Sequence, residues 1–283
     1  MTEPVRRAAE IEAPSNLYII HPLSAWLVPY LARAGISPNQ VSLAGMGCGI
    51  AAGIAYHFYP HTLCVLLGFA LMFAWHVLDG ADGQLARLTQ TFSELGKIID
   101  GICDYVTFTA VYIGLAATCA SQHGNLVWAL VALSGLCHAI QSAAYELQRQ
   151  YYNVYGLGRK SSALPDIATP PPPGLAALLH HIYARAQLLI GGDAAAFHAR
   201  LAAQPDPSDA RRARYCAVFA PVIRRWAILS ANTRTLAIFL FTLAGAPLLY
   251  FFFETIVLSA ALIALLADQR QRYRSFPLSA PQA

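Results

Sequence analysis

A chain of 283 residues with 57% hydrophobic and only 12% charged side chains departs from an ordinary soluble domain, about a quarter of which is charged. With a mean hydropathy of +0.46 it reads as a polytopic membrane protein, and a net charge of +4 gives no reason to expect a nucleic-acid partner. The N-terminal stretch carries Glu3, Arg6, Arg7, Glu10 and Glu12 but no continuous apolar core. No secretory signal is therefore expected, Arg6-Arg7 is not read as a twin-arginine signal, and insertion falls to internal helices.

In chain order, residues 1–39 form a cytoplasmic and interfacial segment. Ile20 to Arg33 is apolar and aromatic but too short to span, which predicts a helix lying on the membrane surface. Gly35-Ile36-Ser37-Pro38-Asn39 then breaks the chain, with Ser37 placed to cap the next helix and Pro38 at its first position. Within 40–146, apolar runs predict spans over 40–58, 62–82, 98–119 and 125–146. Residues 147–228 form a basic, proline-rich cytoplasmic insert. In it, Thr169 to Gly174 is a stiff linker, short helices fall at 175–190 and 193–203, and a third opens at Asp209. That third helix carries Arg211, Arg212, Arg214, Arg224 and Arg225, a set suited to anionic lipid. Residues 229–283 supply spans at 233–250 and 252–268 and a cytoplasmic tail, with Phe251 to Glu254 as a tight turn or the pair as one bent helix. The expected fold is all-α: six transmembrane helices, an N-terminal interfacial helix and a helical insert between spans four and five.

All nineteen Lys and Arg residues fall in the termini, in the 83–97 hairpin or in the 147–234 segment, and the opposite connections contain none. By the positive-inside rule both termini and the 83–97 hairpin face the cytoplasm, as in a bacterial inner membrane. The six cysteines include no CxxC pair and are read as small buried hydrophobes. His76 lies one turn before Asp79, where a supporting role and simple packing are both open.

The chemistry concentrates in Asp79, Asp82, Asp100 and Asp104, four acids inside apolar segments, where ionised carboxylates are costly and mark function. Asp79 and Asp82 share a face of span two; Gly96, Asp100 and Asp104 form a stripe on span three. With the turn near Thr89–Thr91, Asp82 should meet Asp100 and Asp79 should lie near Asp104, roughly 10 Å from the hairpin tip. Four converging carboxylates can hold one or two divalent ions, with water and substrate oxygens completing the shells. Such a centre suits phosphoryl or phosphatidyl transfer, with a carboxylate free of metal taking a proton and Arg87 binding phosphate oxygens.

The pattern D-x2-D-G-x2-A-R-x8-G-x3-D-x3-D, met at every fixed position over 79–104, resembles the signature of the CDP-alcohol phosphotransferase (CDP-alcohol phosphatidyltransferase) family. The lead-in Ile36 to Ser42 and the six-span plan are similar as well. The resemblance implies attack of a hydroxyl on the lipid-linked phosphorus of a CDP-alcohol such as CDP-diacylglycerol, with loss of CMP, in phospholipid biosynthesis. It implies Asp79, Asp82 and Asp100 as ligands of Mg2+ or Mn2+, and Asp104 as general base that also touches metal. Gly83, Ala86, Arg87 and Gly96 would shape or contact the CDP pocket. Implied partners are a CDP-linked lipid donor, a small alcohol or phospho-alcohol acceptor, membrane lipid and a second copy in a homodimer. The insert of about eighty residues departs from the family's compact connection, so the acceptor is not carried over. Arg149, Arg159, Lys160 and Arg234 at the ends of spans four and five are candidates for a phosphorylated acceptor, against ordinary topology-setting charge. The competing classes are a cation-coupled transporter and a non-catalytic scaffold of the same fold. No internal repeat or midplane helix break supports the first, and the intact quartet argues against the second.

Overall fold

The computed structural model describes residues 9–91, 93–159, 174–204 and 209–277. Among them every regular element is a helix, and the chain divides into two compact units, Met1–Leu136 with Ala231–Thr255 and Cys137–Ser230 with Ile256–Ala283. The division crosses the boundaries expected from composition: the second unit takes in the last part of the fourth predicted span and the C-terminal helix along with the insert.

The first unit begins with a π-helical turn at Asn16–Ile20 leading into α1, His21–Arg33. Ser24 of α1 places its hydroxyl 2.7 Å from the Val77 carbonyl, and a methyl at Gly80 would come within 2.6 Å of that hydroxyl. Leu23, Trp26 and Tyr30 are exposed, an amphipathic division suited to an interface. Helix α2, Pro38–His57, opens with the expected cap. Ser37 Oγ accepts from Gln40 N, Gln40 Oε1 accepts from Ser37 N at 2.8 Å, and Pro38 stands at the first position.

Two long helices follow, α3 (Thr62–Thr89) and α4 (Glu94–His123), joined through Gln90 in the left-handed conformation at φ 56. Both pack closely on α2, through a ridge of glycines four residues apart. Gly45 faces Trp75 and Leu78 of α3; Gly49 and Gly53 face Thr107 and Ala110 of α4. A methyl at Gly53 would lie 2.4 Å from the Ala110 carbonyl oxygen, so the α2–α4 seam is backbone against backbone. Around it Tyr56, Met72, Trp75, Phe108, Val111, Leu115, Tyr250 and Phe251 form one buried apolar cluster. Helix α5 is Leu126–Tyr151.

The second unit contains α6 (Leu175–Gly191), α7 (Asp193–Ala202) and α8 (Asp209–Trp226), close to the three short helices read from the insert. Its core is aromatic, with Phe197, Tyr215, Phe219, Tyr273 and Phe276 in ring contact. The Pro170–Pro173 linker lies outside the described residues.

Two expectations change. Five stretches are long and apolar enough to cross a membrane: 62–89, 98–123, 126–156, 209–243 and 247–275. Helix α2 is fully formed over 20 residues but is not among them, because glycines, Asn39, Gln40 and Ser42 dilute its apolar character. The second change concerns the C-terminal spans. α9 (Ala231–Leu243) ends at Gly245, φ 72, and α10 (Pro247–Phe252) starts with Pro247 at its first turn. Phe251 to Glu254, expected as a tight turn or as part of one bent helix, is helical and continues through a π-helical turn at Phe253–Leu258 into α11, Ser259–Ser275.

Candidate active site

Asp79 and Asp82 project from the C-terminal half of α3, and Asp100 from α4. One carboxylate oxygen from each lies within 4.8 Å of the others. Asp82 is buried, Asp79 and Asp100 half-buried. The expected meeting of Asp82 with Asp100 is present, and Asp79 joins that pair. Asp104, half-buried, lies one turn beyond Asp100 on α4 and is not one of the three. Three carboxylates this close repel one another. Ligand oxygens on a hard divalent cation sit roughly 2.0–2.6 Å from it, so two on opposite sides are about 4–5 Å apart. The oxygen spacing and the all-carboxylate donor set fit such an ion.

Helix α2 contributes a residue that the aspartate pattern does not contain. The Ser42 hydroxyl donates to Asp82 Oδ2 at 2.5 Å, which holds the buried carboxylate toward α2. Ser42 was visible in the sequence as part of the segment Ile36 to Ser42, without a role.

The Arg87 guanidinium folds back along α3 toward Gly83, where an added methyl would lie 3.6 Å from both terminal nitrogens, an ordinary contact. Gly83 is therefore not required by the protein's own packing. Ala86 closes α3, its carbonyl accepting from Thr91 N at 3.1 Å. Gly96 has a local task instead: its N–H donates to the capping Ser93 hydroxyl at 2.9 Å, and a methyl there would crowd Ser93 Oγ and Asn39 Oδ1 at 3.0 and 3.3 Å. His76, fully packed, meets the Thr235 hydroxyl at 3.0 Å and ties α3 to α9.

The four candidate acceptor cations have different fates. Arg149 pairs with Glu146 at 3.1 Å, Arg159 lines a cavity in the second unit, and Lys160 lies outside the described residues. Arg234 is completely buried in the first unit, its Nε 3.2 Å from both carboxylate oxygens of Glu254. Tyr250 donates to Glu254 Oε2 at 3.0 Å and, its proton so committed, accepts from Tyr112 at 2.7 Å. Sequence reading missed this network; the available signal was a glutamate inside an apolar run.

Residues 35–164 match the family model for CDP-alcohol phosphatidyltransferase. A class-I family protein of Dictyostelium discoideum is 31% identical over 90 residues, 29% of this chain and 22% of the relative. Cholinephosphotransferase 1 of Mus musculus is 27% identical over 122 residues, covering 40% and 28%. Phosphatidylinositol phosphate synthase of Mycobacteroides abscessus is 27% identical over 99 residues, covering 35% and 44%. The chain thus matches less than half the length of each of these relatives. Among solved structures, the phosphatidylinositol phosphate synthase of Mycobacterium tuberculosis, in complex with manganese and citrate, aligns at a TM-score of 0.37 with 18% identity, over 58% of this chain and 83% of that one. The matched segment, residues 35–164, holds the whole aspartate pattern, so over that segment the chain is similar to the CDP-alcohol phosphatidyltransferase family.

Proposed function

We propose that this chain is an integral membrane enzyme that transfers a substituted phosphate, in the leading case phosphatidyl, from a CDP-alcohol to a hydroxyl acceptor and releases CMP. The observation that carries the reading is the convergence of Asp79, Asp82 and Asp100 within 4.8 Å, with Asp104 one turn along α4. Those three residues would hold Mg2+ or Mn2+, which when bound neutralises phosphate charge and steadies the departing oxygen. Asp104 accepts the acceptor's hydroxyl proton as its oxygen bonds to the lipid-linked phosphorus and the bond to CMP breaks. Arg87 holds phosphate oxygens, and the bare backbone at Gly83 gives the donor room. Gly96 acts indirectly, by allowing the cap that sets the start of α4.

The same proposal places the chain in six spans in a bacterial inner membrane, counting α2, with both termini and the aspartates on the cytoplasmic side. The basic residues clustered in the hairpin and insert support that orientation. A homodimer and a small alcohol or phospho-alcohol acceptor belong to it as expectations from the family.

The test is CMP release by purified protein given CDP-diacylglycerol, Mg2+ or Mn2+, and a panel of glycerol 3-phosphate, inositol phosphate, inositol, serine, choline and ethanolamine. Acceptor-dependent CMP with a matching new lipid by mass spectrometry is the expected result. Absence of both metal and CDP binding would overturn the reading.

A further inference from the structure

The insert contains a cavity that none of the four aspartates lines. It lies wholly within the second unit and measures about 290 Å³, near the lower end for small-molecule sites. Its apolar lining includes Val154, Leu201 and the ring of Tyr215. Arg159, Arg211 and Arg212 bring three guanidinium groups to the same space, and no carboxylate is among the described residues that line it.

The backbone is shaped to hold the cations there. After Tyr152–Gly156 the chain turns sharply, with Leu157 N donating to Tyr152 O, Gly158 N to Val154 O and Arg159 N to Asn153 O at 2.9–3.2 Å. The turn passes through Gly158 at φ 65, and a methyl at that position would come 3.1 Å from Arg212 Cζ. Glycine therefore serves twice: it permits the left-handed turn that carries Arg159 to the cavity, and it leaves room for the Arg212 guanidinium against the backbone. On the facing side, the Tyr215 hydroxyl is tethered to His198 at 2.8 Å, which fixes the aromatic wall.

The Arg159 and Arg212 guanidinium groups repel each other across the cavity they line, and an anion between them relieves that repulsion. Planar guanidinium forks match the oxygens of a phosphate, two bonds to each fork. We propose that this cavity is a binding site for a phosphate group, separate in its residues from the aspartate centre. Both a free phosphate and the headgroup of an anionic phospholipid present that chemistry.

The experiment uses the full chain in nonionic detergent with EDTA present, so that phosphate binding through divalent metal is suppressed. Inorganic phosphate is titrated in one arm and dihexanoyl phosphatidic acid in the other, at constant ionic strength with chloride as control, and heat of binding is measured. Saturable binding in at least one arm is expected, weakened about tenfold or more by the double substitution Arg159→Gln/Arg212→Gln. Phosphate binding identifies a soluble source; binding of the lipid alone identifies a headgroup. Saturation in neither arm, or equal binding by the double variant, would overturn the site. If that variant is not monodisperse, the wild-type chain is modified with phenylglyoxal and mapped by mass spectrometry. The bound probe should then slow reaction at Arg159 and Arg212 relative to the exposed Arg200, and equal rates would equally defeat the proposal.

Discussion

Ser42 and Asp82, forty residues apart and on different helices, share a hydrogen bond of 2.5 Å in which the hydroxyl donates to the carboxylate. The bond makes α2 part of the candidate metal centre although it supplies none of the four aspartates. Groups that orient a metal ligand typically contribute about 10–100-fold to metal affinity or activity. Ser42→Ala should weaken Mn2+ binding within that range, measured by titration of the purified protein, and Ser42→Thr should retain most of it. Equal affinity in Ser42→Ala would show that Asp82 is oriented without help.

Asp104 and Asp100 should separate in their effects. Asp104→Asn removes the proposed proton acceptor but leaves the triple of Asp79, Asp82 and Asp100 intact. It should lower CMP release by about 10²–10⁴-fold with Mn2+ and CDP binding preserved. Asp100→Asn should lose the metal as well. Turnover that survives in Asp104→Asn would remove the residue from its assigned role.

The glycines divide by what surrounds them. Gly53→Ala drives a methyl into the Ala110 backbone, which no side-chain rotation relieves, and should lower the thermal midpoint sharply or prevent folding. Gly83→Ala makes only an ordinary contact with Arg87 and should melt like the wild type. On the proposed function, its defect should be confined to KM for the CDP donor, where the added methyl occupies space assigned to that ligand. A large stability loss in Gly83→Ala would contradict the geometry.

Arg234 and Glu254 are both fully buried, and removing one partner strands the other. Glu254→Ala should destabilise by about 3–5 kcal/mol, whereas Arg234→Met/Glu254→Leu should recover much of the loss. Thermal unfolding of the two variants tests this. If Arg234→Met alone changes only the acceptor KM and leaves the midpoint unmoved, its place is in acceptor binding rather than in the buried pair.

His198, buried in α7, has its pKa lowered to about 3 by desolvation. Nδ1 donates to the Ala194 carbonyl at 2.7 Å, so Nε2 accepts from the Tyr215 hydroxyl. The folded value lies below the ordinary 6.5, so between the two the unfolded chain takes up a proton that the folded chain refuses. The cost is absent above about pH 6.5, grows as pH falls, and levels off below about 3. Unfolding midpoints measured from pH 7.5 to 5 should therefore fall toward acid, and His198→Gln should flatten that slope.

Much of the site was legible because helical period carries over from sequence to space. The three-residue spacing of Asp79 and Asp82 and the four-residue spacing of Asp100 and Asp104 set their faces, and Ser37-Pro38 announced the start of α2. The place of α2 against both α3 and α4 was not legible: Gly45, Gly49 and Gly53 mark a close-packing stripe but do not name its partners. The tight turn, one of two alternatives at Phe251 to Glu254, fails for an electrostatic reason. Glu254 in an apolar run looks like a charge at a boundary, whereas Arg234, twenty residues away, neutralises it and lets the helix continue. Gly245-Ala246-Pro247 carried the true stop signal.

The Gly53–Ala110 contact also bears on movement. Where side chains meet, a helix pair slides by exchanging rotamers; where main chain rests on main chain, there is nothing to exchange. The α2–α4 seam therefore behaves as a single stiff body, and Ser42 and Asp100 ride on it together. Any breathing that opens the aspartate site must be taken up elsewhere, so the seam is that site's fixed jaw.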